Sequence, residues 1–176
     1  MKRALLSGLL AGVAAIVAAR RIGKPHRCVL ERSQVVSAPV DEVFRFFEDP
    51  RNLAKITPPW VSFEVLQIEA LPLRSDITNA YRIHWLGIPL RWCSLIVEYE
   101  PGRRFVDVQT SGPYRYWRHE HAFEDLGGST MVRDRVEYEM PYGLVGRLFH
   151  RLFVARQLRQ IFDYRTAAIE RIFRES

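Results

Sequence analysis

His119 and His121 lie two residues apart in the stretch 112–123, GPYRYWRHEHAF, and that spacing decides what they can do together. The Gly-Pro pair before them and the alternation after it predict a β-strand, whose side chains point in turn to opposite faces. Trp117, His119, His121 and Phe123 then share one face, and Tyr114, Tyr116, Arg118 and Glu120 the other. The next run, 129–140, reads as the hairpin partner across the loop DLGG at 125–128. With Glu124 opposite Ser129, Trp117 faces Val136, His119 faces Asp134 and His121 faces Val132. Val132, Val136, Tyr138 and Met140 join Trp117 and Phe123 on an apolar face, which must be the inner one.

A carboxylate held against an imidazole in apolar surroundings supports three chemistries. It is a general acid–base pair, with His119 and Asp134 as the catalytic candidates; or a polar anchor for a ligand hydroxyl or carbonyl; or a buried pair that satisfies itself and fixes strand register. Two imidazoles at i and i+2 could also share a metal ion, but the sequence places no third histidine or cysteine beside them. No metal and no cofactor is therefore expected. Asp107 could join the cluster, but the turn at 111–113 leaves its register open by one residue, and that residue decides whether it points in or out.

Large aromatic groups extend the candidate site. Trp60 follows Pro58-Pro59 in a loop, where an indole serves as a lid or a surface contact. Ile77, Tyr81, Ile83 and Trp85 alternate onto one face and continue a cavity wall. The expected ligand-binding set is Trp60, Tyr81, Trp85, Trp117, His119, His121, Phe123, Asp134 and Tyr138, with plain core packing as the alternative for each tryptophan.

The elements that must position these groups follow from periodicity. Residues 28–37 alternate as a first strand. Ser37-Ala38-Pro39 with Asp41 and Glu42 starts a helix, with Val40, Val43, Phe44 and Phe47 on its buried stripe and a stop at Asp49-Pro50. A second short helix covers 52–56. Strands are expected near 62–68, 76–86, 90–100, 103–110, 114–124 and 129–140, and their short connections make them antiparallel. From 144 to 173 the period turns helical: Val145, Leu148, Leu152, Leu158, Ile161, Ile169 and Ile172 form one stripe. The chain is therefore α+β, a sheet of about seven strands with one helix long enough to cover it.

Charge narrows the function classes. The chain has 26 Lys and Arg against 20 Asp and Glu, but six of the basic residues precede Cys28. The remainder is neutral, which argues against a nucleic-acid partner. The early basic residues flank the uncharged stretch 4–19, ALLSGLLAGVAAIVAA. Residues 1–27 are expected to form a membrane anchor with basic flanks, apart from a ligand-binding domain at 28–176. The greater positive charge after the segment places a single-pass protein with its domain in the cytoplasm. A cleaved signal peptide is one rival reading, against which Arg20 and Arg21 directly after the segment argue; a segment lying on the membrane surface is another. Ser7, Ala11, Ala15 and Ala19, with Gly8 and Gly12 beside them, offer a small-residue ladder for weak homo-association. Cys28 and Cys93 have no zinc or redox spacing and read as small apolar residues.

Three stretches, 37–60 (SAPVDEVFRFFEDPRNLAKITPPW), 87–107 (GIPLRWCSLIVEYEPGRRFVD) and 112–143 (GPYRYWRHEHAFEDLGGSTMVRDRVEYEMPYG), resemble the START/SRPBCC superfamily and its polyketide cyclase/dehydrase-like, ligand-binding members. The resemblance covers about 28–173. It implies a helix-grip fold, a curved antiparallel sheet wrapped on the C-terminal helix with two short helices after strand 1. It also implies a cavity between them for a hydrophobic small molecule or lipid. It carries no catalytic motif, since relatives bind, transport or catalyse. The functions to weigh are membrane-tethered ligand binding, a cyclase/dehydratase-type enzyme using His119 and Asp134, and a membrane-anchored interaction protein.

Overall fold

The computed structural model describes residues 26–85 and 87–174. Seven strands form one antiparallel sheet in the order β1-β7-β6-β5-β4-β3-β2. They are β1 (Cys28–Val36), β2 (Glu64–Ile68), β3 (Thr78–Trp85), β4 (Ile88–Glu100), β5 (Arg104–Ser111), β6 (Tyr116–Asp125) and β7 (Thr130–Glu139). Between β1 and β2 lie α1 (Val40–Phe47) and two 3-10 turns, Pro50–Ile56 and Pro59–Val61. After β7 comes a nearly continuous helical run: α2 (Gly143–Phe149), a π turn (His150–Val154) and α3 (Ala155–Arg174). This is the expected helix-grip architecture, with the second short helix adopting 3-10 geometry.

Side-chain alternation positions the site. In β6 every odd residue from Trp117 to Phe123 is buried, and its even neighbours are only partly so. The even face carries an ion-pair network, with Arg118 on Glu98 and Glu120 at 3.1 and 2.9 Å and Arg104 on Glu98 and Glu100 at 2.6 and 2.7 Å. One face of the sheet is therefore committed to water and the other to the core. α1 starts with Asp41 and Glu42 in its first turn and buries Val43, Phe44 and Phe47. Phe44 and Phe47 meet Phe123 at ring-centroid separations of 5.2 Å each. Burial of each such ring contributes about 1.5–3 kcal/mol.

The hairpin register differs from the expected one. Asp125 pairs with Thr130, so His121 faces Asp134, His119 faces Val136 and Trp117 faces Tyr138. The loop is 126–129: Leu126 N–H donates to Ser129 O at 2.9 Å, and the Asp125 carboxylate accepts from Gly127 N–H at 2.9 Å. Gly127 and Gly128 have φ of 77° and 100°, a left-handed pair that belongs inside the turn. The slip moves each partner by two residues, an even step, so every face is preserved.

The helical stripe also departs from a single 3.6 period. Val145, Leu148 and Leu152 are exposed, whereas Val154, Leu158, Phe162, Arg165, Ala168, Ile169 and Phe173 are buried. The π turn accommodates an extra residue and rotates α3 against α2, so that a stripe drawn through both cannot stay on one side.

The expectation of a single-pass membrane protein is corrected: no helix among the described residues is long and apolar enough to cross a membrane. The longest, α3, carries charged side chains from Arg156 to Arg174. Residues 4–19, on which the anchor and the homo-association rested, lie outside the described residues.

Candidate functional site

Two buried apolar groups lie between sheet and helix. One gathers Phe44, Phe47, Phe105, Phe123 and Ile169, the other Trp117, Tyr138, Leu158 and Phe162. A polar cluster sits at their seam. His119 and His121, adjacent on the inner face of β6, have ring centroids 3.8 Å apart. Phe105 stacks on His121 at 4.3 Å, and Phe162 meets His119 edge-on at 5.6 Å.

Asp134 holds both rings from β7. Its Oδ1 lies 2.8 Å from His119 Nε2, in a hydrogen bond, and 2.9 Å from His121 Nδ1. The second contact is off the line of the ring N–H, so His121 Nδ1 has no well-formed hydrogen bond. Asp107, directly opposite His119 on β5, points inward. Its Oδ2 is 3.5 Å from His121 Nε2 and 3.8 Å from His119 Nδ1. Arg165 of α3 completes the cluster with Nη1 3.7 Å from Asp134 Oδ1. Arg165 Nε and Nη1 are buried without a hydrogen-bond partner among the described residues.

The two histidines titrate as a unit. Burial, then repulsion from His121, lowers His119 to about 4, outweighing Asp134 and Asp107. Burial also opposes charge on His121, but the Asp107 and Asp134 carboxylates overcome it and raise its pKa. Burial works against the Asp134 anion as well, and the two imidazoles beside it prevail, holding it well below the usual carboxylate range. An added proton is therefore taken up by His121 before His119, which stays neutral.

These groups open onto a cavity of about 180 Å³ between the sheet, the Pro50–Ile56 turn and α3. Its wall is mostly apolar, with Tyr81, Trp92, Trp117, Leu158 and Phe162 among the lining groups; its polar groups include His119, His121, Asp107, Asn79 and Arg165. Burial raises the pKa of Tyr81, with the nearby Asp107 charge adding to it, so its hydroxyl stays protonated.

Of the residues expected at the site, Tyr81, Trp117, His119 and His121 lie in this wall, and Asp134 stands behind the histidines. Phe123 packs in the core with Phe44 and Phe47. The Tyr138 hydroxyl and His150 Nε2 share a hydrogen bond at 2.8 Å. Trp60 is 55% exposed and packs edge-on against Tyr164, away from the cavity wall. The Trp85 side chain lies outside the described residues. Asp107, Asn79 and Arg165 are additions to the expected set. Arg165 had a visible signal: it falls on the helical stripe between Leu158, Ile161 and Ile169, where a charge is out of pattern.

Residues 36–163 match the family described as polyketide cyclase/dehydrase and lipid transport. No curated protein matches the chain in sequence. Among solved structures, a START superfamily protein from Mycobacterium smegmatis is 12% identical with a TM-score of 0.62, covering 84% of this chain and 97% of its own. Norcoclaurine synthase from Thalictrum flavum, bound to dopamine and hydroxybenzaldehyde, is 12% identical with a TM-score of 0.63, covering 86% and 88%. The Zhui aromatase/cyclase from Streptomyces sp. R1128 is 17% identical with a TM-score of 0.57, covering 84% and 96%. At these identities the likenesses establish a shared fold and transfer no residue role.

Proposed function

Because the chain belongs to the polyketide cyclase/dehydrase and lipid transport family, we propose that residues 28–176 bind an apolar small molecule or lipid whose one polar end meets His119 and His121. A single observation carries this reading: in a mostly apolar cavity wall, two buried imidazoles, backed by Asp134, gather with Asp107 and Arg165. Ligand pockets follow this plan, apolar area supplying affinity and a few convergent polar groups supplying orientation. Tyr81 and Trp117 flank the ligand body in this arrangement. The volume of about 180 Å³ is below the roughly 300–1,000 Å³ of pockets for drug-sized ligands, which favours a compact ligand.

The test is native mass spectrometry and organic extraction of the full chain as purified. A co-purifying apolar molecule, or saturable binding of one member of a fatty-acid, sterol and aromatic polyketide panel, supports the reading. A chain that carries no such molecule and binds none of the panel overturns it.

A cyclase- or dehydratase-type reaction is the second reading, favoured by one feature. His119 is neutral, its Nε2 is held by Asp134, and its Nδ1 remains as an acceptor, the state a general base needs. In that case His119→Ala abolishes turnover of the bound molecule while leaving its affinity within a few-fold; turnover that survives the substitution excludes the base role.

A further inference from the structure

We propose that Asp107, His119 and His121 form a binding site for one divalent transition-metal ion, of the zinc type, in the wall of the cavity. His119 Nδ1, His121 Nε2 and Asp107 Oδ2 all lie within 4.8 Å of one another. The two separations to the carboxylate, 3.5 and 3.8 Å, are too long for hydrogen bonds, which run to about 3.2 Å. They are close to the spacing of ligands that share an ion. Donors at about 2.1 Å from a tetrahedral zinc stand about 3.4 Å apart. A contraction of a few tenths of an ångström brings both carboxylate separations to that spacing, and the two ring nitrogens lie within 4.8 Å of each other.

The second ring nitrogens supply the independent argument. A ligating imidazole presents its lone pair to the ion and directs its other N–H to a carboxylate, which fixes tautomer and ring orientation. Here one carboxylate serves both rings: Asp134 Oδ1 faces His119 Nε2 at 2.8 Å and His121 Nδ1 at 2.9 Å. With both protons on the Asp134 side, His119 Nδ1 and His121 Nε2 are left as acceptors on the side of Asp107.

Donor chemistry and charge agree. Two imidazoles and one carboxylate suit zinc, iron(II) or cobalt(II) better than calcium or magnesium. Asp107 and Asp134 carry two negative charges against the one of Arg165, so a divalent ion enters a site of net negative charge. Three protein ligands leave a coordination position open, and all three residues line the cavity. That position would receive an oxygen at the polar end of the ligand, a corollary that rests on the binding reading above. The metal site itself does not.

The experiment uses the full chain, stripped with chelator and with no organic ligand added. Calorimetric titration with Zn²⁺ and absorption titration with Co²⁺ are expected to show one ion per chain, with the intense visible bands of low-coordinate cobalt. Asp107→Asn and His121→Gln are expected to weaken binding by at least about 100-fold, and Asp134→Asn by about 10–100-fold. His84→Gln and His150→Gln, which alter histidines outside the cluster, leave the affinity unchanged. Absence of saturable binding, or affinity undiminished by Asp107→Asn, overturns the proposal. Should the variants unfold, the unaltered Co²⁺-loaded chain still decides. Two exchangeable imidazole N–H resonances shifted paramagnetically support the site, and none overturns it.

Discussion

Asp134→Asn is the substitution that bears most heavily on the cluster. The change keeps shape and one acceptor oxygen but removes the charge shared by His119, His121 and Arg165 at 2.8, 2.9 and 3.7 Å. Asp134 is 6% exposed, so water cannot substitute for it. Removing one partner of a buried ionic group costs about 3–5 kcal/mol, because the remaining charge stays buried and unpaired. With a urea dependence of about 2 kcal/mol per molar for a chain of this size, the midpoint should fall by roughly 1.5–2.5 M. Equilibrium urea unfolding of the metal-free full chain, followed by tryptophan fluorescence, measures this. Arg165→Met keeps apolar volume over Phe162 and removes a guanidinium whose Nε and Nη1 have no hydrogen bond. Combined with Asp134→Asn it should recover about 1 kcal/mol or more of the loss, the non-additivity expected of groups in one network. A midpoint shift below about 0.5 M for Asp134→Asn, or strict additivity in the double variant, would refute the view that Asp134 anchors these charges.

Two further outcomes follow from packing. A Cβ on Gly146 would stand 1.8 Å from the Pro141 carbonyl oxygen, a backbone atom that cannot swing aside. Gly146→Ala should cost about 1–3 kcal/mol, a fall in Tm of several degrees at about 2–4 °C per kcal/mol, readable by circular dichroism; an unchanged Tm would mean that α2 is free to shift. Leu158→Trp places an indole into the cavity from α3 and should abolish uptake of the co-purifying molecule while the Tm stays within a few degrees; undiminished uptake would put the ligand elsewhere.

The inner face of β6 was legible in the sequence because its polarity alternates without a break from Trp117 to Phe123, and period two fixes the face whatever the pairing. The pairing itself was not, since DLGG accommodates either a loop of 125–128 or one of 126–129, and Gly127 and Gly128 fall inside both; the Asp125–Thr130 pairing separates them. The His119–Asp134 contact was expected from direct opposition; it arises instead diagonally, with His121 in the opposing position. The sequence does not orient Asp107, because its direction depends on the β5–β6 register, a non-local quantity. Arg165 was written in the α3 pattern as a charge on an apolar stripe. The π turn left no comparable mark, so the exposure of Leu148 and Leu152 could not be read from periodicity.

Binding inside the cavity, as distinct from adhesion to an exposed apolar surface, is tested most directly by NMR mapping with the co-purifying molecule or the best panel ligand. The structure provides its own control surface, since Leu144, Val145, Leu148, Leu152 and Phe153 are each at least 50% exposed, away from the polar cluster. Aromatic and methyl resonances of Tyr81, Trp117, Leu158 and Phe162, with the ring protons of His119 and His121, should shift saturably at one ligand per chain. Shifts confined to residues 144–153, with the cavity resonances unmoved, would contradict the account.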